Sequence, residues 1–192
     1  MLGKSRVESA LMPFASRIPI NPNALTLLAV LIMAAAAWEV TRGEWEIAAV
    51  LVFLSGFIDV LDGTVAKSQK KATPFGAFVD RVGDRVADAL IFSAIILAGV
   101  VQLWLGLVVL VLVLVGSYAS ACLEAATKTK IGEKLSMRAV RLLLLALALV
   151  SMPMSPAALE CAFYIIGLLA LVALAQRFCA ARKVLSRRST QL

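Results

Sequence analysis

Residues 46–66 read EIAAVLVFLSGFIDVLDGTVA, an apolar run that carries two aspartates, Asp59 and Asp62, near its far end. About 20 helical residues cross a bilayer core about 30 Å thick. Backbone groups in lipid must bond within their own segment, so such a run reads as a helix rather than a strand. Similar runs recur at 24–41, 75–100, 102–125, 136–152 and 157–180, separated by short hydrophilic stretches. The pattern predicts an all-α integral membrane protein of six transmembrane helices, forming a single domain over residues 1–192. Composition points the same way. The chain is 61% apolar and 16% charged, with a mean hydropathy of +0.94, whereas soluble domains are roughly half apolar.

The cations are distributed to one side. Lys4, Arg6 and Arg17 precede the first span; Lys67, Lys70, Lys71, Arg81 and Arg85 surround the second connection. Lys128, Lys130, Lys134, Arg138 and Arg141 surround the fourth, and Arg177, Arg182, Lys183, Arg187 and Arg188 lie toward the chain's end. With six spans, Arg42 alone falls opposite. The positive-inside rule then places both termini on the cytoplasmic side of the cell membrane. The net charge of +7 is thereby explained by topology and attraction to anionic lipid, without a nucleic-acid partner. Residues 2–16 place Leu2, Arg6, Val7, Ala10, Leu11 and Phe14 at helical intervals, which predicts a short interfacial helix ahead of the first span. Absence of histidine excludes imidazole bases and histidine metal sites. Cys122, Cys161 and Cys179 form no C-x-x-C pair and read as reduced thiols filling apolar space.

All the aspartates lie within thirty positions: Asp59 and Asp62, then Asp80, Asp84 and Asp88. Intervals of three and four put neighbours on one helix face. The short link between spans two and three makes them antiparallel neighbours, so the Asp59–Asp62 and Asp80–Asp84 pairs meet at similar depth near the cytoplasmic face. Carboxylates gathered in a membrane repel one another and resist burial. Divalent cations relieve both effects, and all-oxygen donors suit Mg²⁺ or Mn²⁺. The cluster is large enough for two ions, an arrangement that clamps phosphoryl groups during in-line displacement. Asp88 has rotated away from Asp80 and reads instead as a charge paired with Arg81, Arg85 and nearby lysines.

The segment Asp59-x-x-Asp62-Gly63-x-x-Ala66-Lys67, eight further residues, then Gly76-x-x-x-Asp80-x-x-x-Asp84 resembles the signature of the CDP-alcohol phosphotransferases. Seven of its eight defined positions match; Lys67 stands where that family usually has Arg. Lys keeps the charge beside a diphosphate but lacks the bidentate fork. The six-span layout is similar to that family too. The resemblance implies transfer from a CDP-linked lipid, CDP-diacylglycerol or CDP-archaeol, to a small polar alcohol with release of CMP. It implies that Asp59, Asp62 and Asp80 ligate metal, and that Asp84 ligates metal and takes the acceptor's proton. Gly63 and Gly76 would admit nucleotide and phosphate close to the backbone, with Ala66 and Lys67 completing that stretch. Thr73 and Asn23 resemble family positions at the CDP-lipid site, although Asn23 equally suits a helix cap. A homodimer is implied as well, and the small residues Gly76, Ala77, Gly83 and Ala87 would permit close helix packing.

Residues 73–88 are most similar to the phosphatidylinositol phosphate and archaetidylinositol phosphate synthase branch. Arg138 and Arg141, three apart at the start of span five, match two basic positions of that branch and suit an acceptor phosphate; positive-inside placement also accounts for them. Ser120 and Cys122 stand where that branch usually carries Arg. Glycerol 3-phosphate, serine, free inositol or a tail-less CDP-alcohol donor therefore stay open beside inositol 1-phosphate. A cation transporter using the aspartates as its ion site is the reading from another class. It lacks comparable buried charges in the outer half, where Glu39, Glu44, Glu46 and Glu160 sit near helix ends.

Overall fold

The computed structural model describes residues 21–69, 73–127 and 137–189, which form helices and no strand. They are α1 (Pro22–Arg42), α2 (Trp45–Ser68), α3 (Pro74–Leu97), α4 (Leu103–Thr127), α5 (Met137–Ser151) and α6 (Ala157–Ser189). The interfacial helix expected over residues 2–16 and the side chains of Ala66 and Lys67 lie outside the described residues. Four helices, α1, α2, α4 and α6, are long and apolar enough to cross a membrane. The acids and arginines of its first half set α3 apart from these, and α5 has only 15 residues.

Local chemistry sets the helix ends. Asn21 caps α1 by accepting from the Asn23 amide at 3.1 Å, ahead of Pro22 in the first turn. Thr73 caps α3 through the Gly76 amide at 3.0 Å, ahead of Pro74. Gly43 ends α1 at φ +79°, a left-handed conformation that costs glycine little. Asn21, rather than Asn23, is therefore the cap, and the Asn23 side chain is free to serve elsewhere.

The apolar core gathers toward one end of the bundle. Met33, Ala36, Ala37 and Val40 of α1 meet Ala48, Ala49 and Val52 of α2, where small side chains let the backbones close in. Phe92 of α3 packs edge-to-face on Phe163 of α6, with ring centroids 5.4 Å apart. Leu145 and Leu149 of α5 and Leu159 and Ile166 of α6 complete this layer. The three cysteines are free but exposed, so they lie outside the core rather than filling it.

Around this core, α1 packs on α2 and α3, α5 on α2 and α6, and α4 on α3 and α6. Among the described residues α2 and α3 make no close backbone contact with each other, although they are consecutive. The expected direct packing of these two helices is thus replaced by a cleft, with α1 touching both walls. A short connection ties two helix ends together but does not bring their axes into contact, and facing acids oppose closer approach. Gly83 of α3 is where α1 seats: a Cβ there would lie 3.1 Å from Val30 and 3.4 Å from Thr26.

Candidate active site

The aspartates face one another across the α2–α3 cleft. One carboxylate oxygen each from Asp59, Asp62 and Asp80 lies within 4.8 Å of the others. Asp62 is almost fully buried and accepts a 2.6 Å hydrogen bond from the Thr26 hydroxyl of α1. This hard, all-oxygen donor set, without histidine or cysteine, fits a cation such as Mg²⁺ or Mn²⁺.

Asp84 stands beside this trio and is tied to it through α5. Arg138 Nη1 lies 2.6 Å from both Asp59 Oδ1 and Asp84 Oδ1, so one guanidinium bridges α2 and α3. Asp88 has no exposed surface. It accepts from Arg141 Nη2 at 2.9 Å and from Arg138 Nε at 3.4 Å, with Arg85 at 3.5 Å. Asp88 is therefore ion-paired, as expected, but its principal partners come from α5. Of the partners expected for it, Arg85 is present and Arg81 instead pairs with Glu124 of α4 at 2.5 Å; the side chains of Lys67, Lys70 and Lys71 lie outside the described residues.

Burial of Arg138 and Arg141, each 9% exposed, removes them from the class of solvated topological charges. Arg141 Nε and Arg85 Nε are buried donors without a hydrogen-bond acceptor among the described residues. Arg141 also lines a narrow cavity with Gly116, Met137 and Arg177. A Cβ at Gly116 would lie 3.1 Å from Arg177 Nη1, so this glycine gives the guanidinium its space. Sequence reasoning counted Arg177 only as a topology marker. Its position inside the last apolar run, ahead of the basic tail, was the available signal.

The residues expected at a CDP-lipid site divide. Asn23, Thr73 and Gly76 converge: a Cβ at Gly76 would lie 2.9 Å from Asn23 Oδ1 and 3.2 Å from Thr73 Oγ1. Gly63 is exposed and would have nothing within 4 Å of an added Cβ. The backbones of Ala66 and Lys67 continue α2.

Comparison with known proteins agrees with this architecture. The archaetidylinositol phosphate synthase of Methanothermobacter thermautotrophicus is 38% identical over 113 residues, 59% of this chain and 58% of that protein. The chain spans about half the length of the curated relatives it matches. Among solved structures, Mycobacterium tuberculosis phosphatidylinositol phosphate synthase with CDP-DAG bound superposes with a TM-score of 0.75 at 22% identity, covering 92% of this chain and 94% of that one. The same enzyme in complex with manganese and citrate gives 0.74 at 21% identity, covering 93% and 88%. At these identities the likeness is one of fold. The family description "CDP-alcohol phosphatidyltransferase" matches residues 19–176, a stretch holding the five aspartates with Arg85, Arg138 and Arg141, and the chain belongs to that family.

Proposed function

We propose that this protein is an integral membrane transferase that moves the substituted phosphate of a CDP-linked lipid to inositol 1-phosphate, releasing CMP. The observation that carries this reading is the convergence of Asp59, Asp62 and Asp80 beside an Asp84 that shares Arg138 with Asp59. Asp59, Asp62, Asp80 and Asp84 would hold Mg²⁺ or Mn²⁺, two ions in the full site. Bound cations would neutralise the diphosphate and the charge developing on CMP.

The chain's own residues do the rest. Asn23, Thr73 and Gly76 form one wall for the CDP group, with Gly63 opening the other and Ala66 and Lys67 extending it. Asp84 takes the proton of the acceptor hydroxyl as that oxygen attacks phosphorus. The new P–O bond forms as the bond to the CMP oxygen breaks, and CMP leaves with the electron pair. Arg138 and Arg141, with Arg177 beside them, bind the acceptor phosphate. Two buried guanidiniums, with the Arg141 Nε donor unengaged among the described residues, favour a phosphorylated acceptor over serine or free inositol. The donor lipid is CDP-diacylglycerol or CDP-archaeol.

On this reading all six helices span the cell membrane, residues 1–192 form a single domain, and both termini and the cleft face the cytoplasm. The one-sided cations support that orientation. The chain works as a homodimer, as the family resemblance implies.

The test is CMP release by the purified protein with each CDP-lipid and Mn²⁺. Inositol 1-phosphate, glycerol 3-phosphate, serine and inositol are offered separately, with a tail-less CDP-alcohol as a further donor. CMP formed with inositol 1-phosphate and abolished by chelator is the expected result. CMP formed only with another acceptor overturns the substrate; none with any pair overturns the reaction.

A further inference from the structure

Thr26 lies in an apolar stretch of α1 and is only 6% exposed. A threonine in such a helix commonly returns its hydroxyl to the carbonyl four residues back. Here that carbonyl, Pro22 O, lies 3.2 Å away, whereas Asp62 Oδ2 lies 2.6 Å away on the neighbouring helix. The hydroxyl has one proton for two acceptors, and the shorter contact to a carboxylate is the stronger. The methyl of the same side chain faces α3, 3.4 Å from where a Cβ of Gly83 would stand. Gly83 sits between Asp80 and Asp84 in sequence, so one α1 residue touches α2 at Asp62 and α3 between its two cleft carboxylates.

We infer that Thr26 is a positioning residue for the cleft carboxylates: its hydroxyl sets the orientation of Asp62. This rests on the reading of Asp59, Asp62 and Asp80 as a cation site. Asp62 is 3% exposed, so water offers it little alternative, and a carboxylate without its donor turns away from the shared point. Loss of a hydrogen bond behind a metal ligand typically weakens metal binding by about 10–100-fold.

The experiment measures Mn²⁺ binding by electron paramagnetic resonance on the full chain in detergent, without any CDP-lipid, for Thr26→Val and Thr26→Ser. Melting temperatures in chelator are recorded alongside. Valine keeps the shape and removes the hydroxyl; serine keeps the hydroxyl. The expected result is a Mn²⁺ dissociation constant raised about 10–100-fold in Thr26→Val and close to the parent in Thr26→Ser, with both variants still melting cooperatively in chelator. Unaltered Mn²⁺ binding in Thr26→Val overturns the inference. Equal weakening in both variants also overturns it, since packing on Gly83 and not the hydroxyl would then control the site. Should Thr26→Val fail to fold, Thr26→Ala is read against Thr26→Ser by the same criteria. A parent chain that binds no Mn²⁺ overturns the cation-site reading itself, and this inference with it.

Discussion

Arg138 occupies the position a cation would take between two carboxylates, and replacing it with glutamine isolates that role. Its Nη1 is 2.6 Å from Asp59 and from Asp84, on a side chain only 10% exposed. With charge centres about 4 Å apart and an effective dielectric near 20, each attraction is about 4 kcal/mol before desolvation. Desolvation offsets much of this, and removing one partner of a buried ion pair costs about 3–5 kcal/mol net. In chelator, Arg138→Gln should therefore melt roughly 10 °C or more below the parent. Mn²⁺ should reverse part of that loss. A ligand at about 100 times its dissociation constant stabilises by about 2.7 kcal/mol. The gain should be larger in Arg138→Gln than in the parent, because the cation no longer competes with a guanidinium for Asp59. Thermal melting of both proteins in detergent, with chelator and with Mn²⁺, reads these shifts directly. Equal Mn²⁺ shifts in the two proteins would refute the argument that guanidinium and cation share the same carboxylates.

Three further outcomes are expected. Asp84→Asn should lower turnover about 10²–10⁴-fold while Mn²⁺ still binds; near-parent turnover would remove Asp84 as the base. Arg141→Ala should raise KM for the phosphorylated acceptor roughly 10–100-fold, the range for a lost hydrogen bond to a charged group, with donor KM little changed. An unchanged acceptor KM would leave Arg141 as a partner of Asp88 only. Gly63→Ala should fold and melt as the parent does, since an added Cβ there meets nothing within 4 Å, yet raise KM for the CDP-lipid. An unaltered donor KM would show that the nucleotide does not approach this backbone.

Periodicity and hydropathy revealed what depends on neighbours in sequence. The helix ends at Pro22, Gly43 and Pro74 follow from residues whose backbone preferences are local. Asp59, Asp62 and Asp80 were legible as a cluster because two short intervals and one short connection suffice to bring them together. What crosses the bundle was not legible. Asp88 was expected to pair within its own neighbourhood, whereas Arg138 and Arg141 reach it from fifty residues away. The hold of Thr26 on Asp62 was not legible, since a threonine in an apolar helix looks satisfied by its own backbone. The cleft between α2 and α3 was hidden for a related reason: loop length limits where helices end, and only the packing of α1 against Gly83 and of α5 against α2 determines how far apart they stand.

Charge balance within the cleft connects these contacts to the proposed chemistry. Among the described residues Arg138 bridges Asp59 and Asp84, and Arg85, Arg138 and Arg141 converge on the buried Asp88. A divalent cation held by Asp59, Asp62 and Asp80 would offset their mutual repulsion and lower the cost of burying them. On the proposed function a second cation would add positive charge, which would favour a diphosphate at one end and a phosphorylated acceptor at the other. The arginines are thus placed to do two things in turn. Arg138 pairs with Asp59 and Asp84, and on the proposed function cations held by those carboxylates would leave its Nη1 available to the acceptor phosphate. Asp88, buried beneath, accepts from both guanidiniums, so on this reading Arg138 would stay anchored through Nε while Nη1 turned to the phosphate.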